Sequence, residues 1–157
     1  MTKITNHITS SSEKFLAKYL NTASPTGFES TGQKVWLDYI KPYIDEHIVD
    51  TYGTVVGIIN PEAKYKVVIE AHADEISWFV HYITDNGFIY LRRNGGSDHQ
   101  IAPSKRVNIH TEKGMVKAVF GWPAIHTRLG GMKEEPPKKD NIFLDCGCKT
   151  KKEVEAL

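Results

Sequence analysis

The segment Val67-Val68-Ile69 constrains the fold more than any other part of this sequence. Three consecutive β-branched residues without polar alternation are typical of a strand buried on both faces of an α/β sheet. The run leads directly into His72-Ala73-Asp74. Because ligands of α/β sheets bind beyond the carboxyl ends of the strands, the sequence predicts that His72 and Asp74 lie at the mouth of a site.

Elements on the amino-terminal side of this run alternate between helix and strand. A capping-box pattern, Ser10 to Glu13, predicts a helix over residues 10–20, and apolar residues between Val35 and Tyr43 follow the spacing of a second amphipathic helix. Three strands are then predicted, over residues 47–52, 54–60 and 66–71. This order indicates an α/β fold in which the helices cover a sheet.

The pattern changes after Glu75. Short β-like runs occupy residues 76–80, 87–91, 105–110, 115–120 and 141–145, with turn signals between them and no helical stretch. This spacing predicts a small β-barrel or sandwich that begins near Ile76. Residues 150–157 begin a helix and then stop, so the sequence has the appearance of a chain cut inside an element.

Composition narrows the class of protein. The chain has 157 residues, of which 40% are hydrophobic and 25% charged, which suits one domain or two small ones with a real core. A net charge of +1, from 20 basic and 19 acidic residues, makes nucleic acid an unlikely partner. The polar start of the chain has neither a signal-peptide pattern nor a membrane-spanning run, so we expect a cytoplasmic protein that does not bind a membrane.

The spacing of His72 and Asp74 has a chemical interpretation. A neutral imidazole binds zinc or cobalt through one ring nitrogen, and its other nitrogen then needs an acceptor that fixes the tautomer. A carboxylate two residues later, on the same side of an extended segment, can be that acceptor. A lone His-x-Asp is nevertheless more often a coincidence at a strand end, so the motif needs support from its surroundings.

Six further short motifs give that support. In order and spacing, the chain resembles the opening of the glutamyl aminopeptidase family, the tetrahedral dinuclear metallo-aminopeptidases. The resemblance covers nearly the whole chain and includes Ser24-Pro25-Thr26-Gly27-Phe28-Glu29, Thr51-Tyr52-Gly53-Thr54, Glu70-Ala71-His72-Ala73-Asp74-Glu75, Asn94-Gly95-Gly96, Lys113-Gly114-Met115-Val116, Gly121-Trp122-Pro123-Ala124 and Ile142-Phe143-Leu144-Asp145-Cys146-Gly147.

The resemblance implies an α/β/α catalytic domain that is interrupted by an inserted β-barrel used in oligomer assembly. Residues 1–75 would be the amino-terminal part of the metallopeptidase domain, 76–148 the barrel, and 149–157 the start of the return. His72 matches the family's first metal ligand, and Asp74 is counted with the catalytic residues because it orients that ligand. The resemblance also implies two divalent metal ions, zinc or cobalt, peptide substrates and a homo-oligomer.

The family's remaining site residues have no counterpart in this sequence. The bridging Asp, the Glu general base and the second His all follow the inserted barrel in the family. The pair Glu134-Glu135 precedes Pro136-Pro137 in a polar loop, and we interpret it as a solvated charge pair rather than as the base. We therefore expect that this chain is inactive alone and retains no metal.

Two other interpretations remain open from the residues. The chain could be a non-catalytic β-domain for self-association or partner binding, with an unused His-x-Asp. It could also be a small zinc scaffold that uses His72 with Cys146 and Cys148, although a fourth ligand at a suitable spacing is missing. One intervening residue is poor spacing for a disulfide within a strand, so the two cysteines are more simply explained as structural thiols.

Overall fold

The structure, a computed structural model, describes residues 8–128 and 135–157. These residues form two compact units, divided between Glu75 and Ile76. The elements of the first unit are α1 (Ser10–Leu20), α2 (Ser30–Ile40), a 3-10 turn (Lys41–Tyr43), β1 (Glu46–Val49) and β2 (Val55–Ile58). No helix in the described ranges is both long and apolar enough to cross a membrane.

The first helix is where the sequence predicts it, with its cap one residue earlier. Thr9 rather than Ser10 is the N-cap: its hydroxyl accepts from the Ser12 amide at 3.2 Å, and the Ser12 hydroxyl accepts from the Thr9 amide at 2.8 Å. This reciprocal pair satisfies two amides that the first turn leaves unpaired. Helix α1 then contacts α2 through stacked Phe15 and Tyr39 rings, 3.9 Å between centroids.

Strands β1 and β2 form an antiparallel hairpin. Asp50 closes its turn, because one carboxylate oxygen accepts from the amides of Tyr52 at 2.9 Å and Thr54 at 2.8 Å. These bonds, with Thr54 first, hold the pKa of Asp50 below its ordinary value. Gly57 lets the hairpin approach α2 closely, since a Cβ there would lie 2.6 Å from Ile40 Cδ1.

The predicted strand over residues 66–71 is not formed, and its predicted burial is wrong. Val67 is 73% exposed and Ile69 95% exposed, and these residues carry no strand assignment. A strand exists only when a neighbour satisfies its backbone N–H and C=O groups, and β1 and β2 are the only strands among the described residues of the first unit. The apolar run has the composition of a buried strand without a neighbouring strand in the described residues.

The second unit contains a five-stranded antiparallel sheet in the order β3-β4-β7-β6-β5. Strand β3 has an irregularity between Val80 and Tyr82. The elements of this unit are β3 (Ser77–Ile83), β4 (Ile89–Asn94), β5 (Arg106–Thr111), β6 (Gly114–Gly121), α3 (Ile125–Arg128), a 3-10 turn (Lys139–Asn141), β7 (Phe143–Asp145) and α4 (Lys151–Glu155).

Alternate residues of these strands face one core. The buried apolar side chains of the described residues all belong to this unit: Ile89, Leu91, Ala102, Ala118, Phe120, Ile142, Leu144 and Val154. The presence of both helices and sheets confirms the overall α/β class. The closed barrel is not observed, because β3 and β5 are the outer strands of an open sheet and do not pair with each other.

Candidate metal-ligand site

His72 and Asp74 lie at the end of the extended segment that follows the hairpin. The His72 Nδ1 atom is 3.0 Å from Asp74 Oδ1 and also 3.0 Å from the Asp74 backbone oxygen. Both neighbours accept hydrogen bonds, so Nδ1 is the ring nitrogen that carries the proton. The His72 side chain is 85% exposed. When the ring is neutral, this arrangement leaves Nε2 as the nitrogen that can bind a metal.

The other oxygen of the Asp74 carboxylate is held by Thr26. The Thr26 hydroxyl donates to Asp74 Oδ2 at 2.7 Å, across 48 residues of sequence. This bond, followed by the bond from His72, lowers the pKa of Asp74 from its ordinary value. The carboxylate is therefore ionised at neutral pH and acts only as an acceptor.

Backbone hydrogen bonds fasten the loop around Pro25 to the residue after Asp74. Pro25 and Glu75 form a parallel bridge, in which the Glu75 amide donates to the Ser24 oxygen at 2.8 Å and the Thr26 amide donates to the Glu75 oxygen at 3.3 Å. The Glu75 carboxylate accepts from the Ser24 amide at 2.9 Å. The loop carrying Thr26 is thus fixed against the segment carrying Asp74.

Among the described residues, His72 is the candidate metal ligand and Asp74 the candidate acid that orients it. Residues 8–128 and 135–157 contain no group of three or more His, Cys, Asp or Glu side chains that could hold a metal ion. His72 fits a single coordination position, whereas a metal centre in a hydrolase uses several protein ligands. The part of the chain that the structure describes does not hold a complete two-metal centre.

The other candidates from the sequence lie outside this site. Cys146 and Cys148 are free thiols packed against the core of the second unit. Burial, and then the neighbouring Cys146, raises the pKa of Cys148, which suits an unreactive structural thiol. Glu135 is exposed and pairs with Lys138 at 2.5 Å, as expected for a solvated charge, and Glu134 lies outside the described residues.

No local pattern in the sequence indicates the roles of Ser24, Thr26 and Glu75. The motif Ser24-Pro25-Thr26-Gly27 predicts a turn, and Gly27 does have a positive φ of 91°. The partner of that turn is distant in sequence, however, and a single sequence carries no signal for such a contact. The presence of the motif in the family resemblance was the available hint that it does more than reverse the chain.

Comparison with known proteins gives a family match. The family model for M42 glutamyl aminopeptidases matches residues 53–157. The protein FrvX of Escherichia coli strain K12 is 27% identical over 143 residues, which are 90% of this chain and 40% of FrvX.

Solved structures give the same result. The TET aminopeptidase of Thaumarchaeota archaeon SCGC AB-539-E09 superposes with a TM-score of 0.87 at 25% identity, over 92% of this chain and 40% of that one. The aminopeptidase APDkam598 of Desulfurococcus kamchatkensis gives 0.83 at 28% identity, over 91% and 39%.

The described residues thus have the fold of the matching part of these aminopeptidase structures. The chain belongs to the M42 glutamyl aminopeptidase family. It spans about 40% of the length of the relatives it matches.

Proposed function

We propose that this chain supplies the first metal ligand, His72, and its orienting carboxylate, Asp74, to a metal-dependent aminopeptidase that removes N-terminal residues from peptides. The observation that carries the proposal is the hydrogen-bonded His72–Asp74 pair, with its ring exposed, in a chain of the M42 family. A His whose second nitrogen is held by a carboxylate is the usual arrangement of a zinc ligand.

The remaining ligands of that site would come from polypeptide outside this chain. When bound, two zinc or cobalt ions would polarise the scissile carbonyl and activate the attacking water. His72 would contribute one imidazole nitrogen, a donor that suits both metals. Asp74 would accept a hydrogen bond from Nδ1–H and keep Nε2 directed at the ion. A general base and a bridging carboxylate are further requirements, so we propose that the chain is inactive and metal-free alone.

We also propose that the second unit mediates self-association. One solved relative is described as "PhTET1-12s, dodecamer in the asymmetric unit". A second, the TET1 peptidase of Pyrococcus horikoshii, is described as able to assemble into "a tetrahedron or a large octahedral shell". In this chain, the outer strand β3 exposes Phe79, Val80 and Tyr82, each about half accessible. Exposed apolar side chains on the outer strand of a sheet favour association with another chain. Self-association is the function that the second unit could perform without a complete metal site.

A reducing, cytoplasmic location is proposed on the basis of the thiols. Cys146 and Cys148 are both free thiols that pack against the core of the second unit. Unpaired cysteines in a core are typical of proteins from reducing compartments.

The experiment that tests the enzymatic proposal is a chimera. This chain would replace the matching two-fifths of the Desulfurococcus kamchatkensis aminopeptidase, and hydrolysis of aminoacyl p-nitroanilides would be measured with added zinc or cobalt. We expect turnover by the chimera, loss of turnover in His72→Ala, and no turnover by the 157-residue chain alone. The matched control is His47→Ala, which removes an exposed histidine of β1 and should leave the rate unchanged.

Two results would contradict the proposal. Metal-stimulated turnover by the isolated chain would show that the ligand set is complete without further polypeptide. A His72→Ala chimera that folds and remains as active as its parent would show that His72 is not a ligand.

A further inference from the structure

We propose that Thr26 is a positioning residue of the metal site: its hydroxyl fixes the Asp74 carboxylate so that the carboxylate holds His72 Nδ1–H and leaves Nε2 for the metal. The proposal rests on the proposed function of His72 as a ligand. It adds a third side chain, from a loop distant in sequence, to the His-x-Asp pair.

The two oxygens of the Asp74 carboxylate are divided between two partners. Oδ2 accepts from the Thr26 hydroxyl at 2.7 Å, and Oδ1 is 3.0 Å from His72 Nδ1. A carboxylate that accepts at one oxygen alone can rotate about its Cβ–Cγ bond. Hydrogen bonds to both oxygens from groups on different segments define its plane, and they direct Oδ1 at the imidazole.

Thr26 is itself well anchored. Its amide donates to the Glu75 oxygen, and the adjacent Pro25 pairs with Glu75 in a parallel bridge. The buried Ser24 is held at both its amide and its carbonyl by Glu75. Gly32 of α2 allows this close packing, since a Cβ there would lie 2.5 Å from Ser24 Oγ. Hydrogen bonds of the surrounding backbone therefore hold the Thr26 hydroxyl, the donor to Asp74, in place.

The segment that carries His72 has little support of its own. Residues 66–74 take part in no strand pairing in the described structure, and the His72 side chain is 85% exposed. The bond from Thr26 is a side-chain restraint on Asp74 that originates outside that segment. The Asp74 backbone oxygen shares the Nδ1 proton, so loss of Thr26 should weaken the preference for the Nδ1–H tautomer rather than reverse it.

The test is the tautomer of His72 in the metal-free chain, read from the two imidazole ¹⁵N chemical shifts at about pH 8.5, where a typical imidazole is neutral. We expect one dominant Nδ1–H form in the parent. Thr26→Val should move both shifts toward those of a mixed population, and Thr26→Ser, which keeps the hydroxyl, should restore the parent values. Thr22→Val is the control, because its hydroxyl bonds Lys18 in α1 and is not among the contacts of Asp74.

A double-mutant cycle separates positioning from a general structural effect. If Thr26 acts through Asp74, Thr26→Val should change the His72 shifts no further in the background of Asp74→Ala. Unchanged shifts in Thr26→Val, or an additional full effect in that background, would overturn the proposal. Failure of the proposed function would look different, since His72 would keep its Thr26-dependent tautomer while the chimera lost no activity in His72→Ala.

Discussion

At the scale of single residues, the exposed His72 ring depends on Asp74 for its orientation. Asp74→Asn keeps the size of the side chain and removes its charge, so the amide can accept from Nδ1 only weakly. In the chimera we expect this change to weaken zinc binding by about 10- to 100-fold, the usual cost of losing a partner of a metal ligand. Competition against a chromophoric chelator measures the affinity. An Asp74→Asn protein with the parent affinity would contradict the role given to Asp74.

Sequence reasoning identified two of the three residues of this hydrogen-bonded chain. His72 and Asp74 are two residues apart in one segment, and this spacing alone suggests that their side chains meet. Thr26 donates to Asp74 from a turn 48 residues earlier. That contact depends on the parallel bridge between Pro25 and Glu75, which no local pattern indicates.

At the scale of elements, the β1–β2 hairpin depends on an ionised Asp50. Its carboxylate accepts two amide bonds in the turn, and these hold its pKa below the ordinary value of 3.8. Because the folded pKa is lowered, the stabilisation is present above that ordinary value and is lost as the pH falls through the folded one. The melting temperature of Asp50→Ala should therefore be lower than that of the parent at neutral pH, and the two should converge in acid.

Thermal unfolding followed by circular dichroism across pH checks this prediction. Asp38→Ala is the matched control, because Asp38 is a surface acid 3.9 Å from Lys34 and such pairs contribute little. A gap between Asp50→Ala and the parent that persists at low pH would show that the charge is not what stabilises the turn.

Gly87 permits the close packing of the β3–β4 turn against the segment before α4. Its φ is 84°, and a Cβ would lie 2.6 Å from the Cys148 backbone oxygen. Gly87→Ala should lower the free energy of unfolding by about 1–2 kcal/mol because of the left-handed backbone, and by roughly 1–3 kcal/mol more because of the clash. Gly147, with φ of 86° and open space, isolates the first contribution. Urea unfolding should therefore rank Gly87→Ala below Gly147→Ala, and equal stabilities would contradict the close contact.

Sequence predicts best the elements that are defined by residues close together in the chain. Helices α1 and α2, the hairpin, and all five strands of the second unit lie near their predicted positions, because caps, turn residues and alternation define them. The strand predicted over residues 66–71 is not formed, for the opposite reason. Their apolar run specifies a strand that needs a neighbour on each side, and the described residues provide none.

At the scale of the whole molecule, the two units differ in how many apolar side chains they bury. The buried apolar core belongs to the second unit, and α1 and α2 of the first unit bury only Gly32. In the first unit Leu20, Phe28 and Ile69 are all more than half exposed. Apolar surface of this extent favours association.

Sedimentation velocity over a range of protein concentration tests the proposed self-association. We expect the weight-average sedimentation coefficient to rise with concentration. Tyr82→Ser, on the outer strand β3, should reduce the rise, whereas Lys117→Ser, at an exposed position of the inner strand β6, should not. A single monomeric species at all concentrations would exclude self-association through β3.

We propose His72 as one ligand of a metal site whose other ligands lie outside this chain. The most direct test is a zinc titration of the isolated chain, monitored through the ring proton resonances of His72 in NMR spectra. Because one histidine binds zinc weakly, we predict no saturation at micromolar zinc. Saturable binding at micromolar zinc that disappears in His72→Ala would contradict this prediction, because it would show that a full metal site exists within these 157 residues.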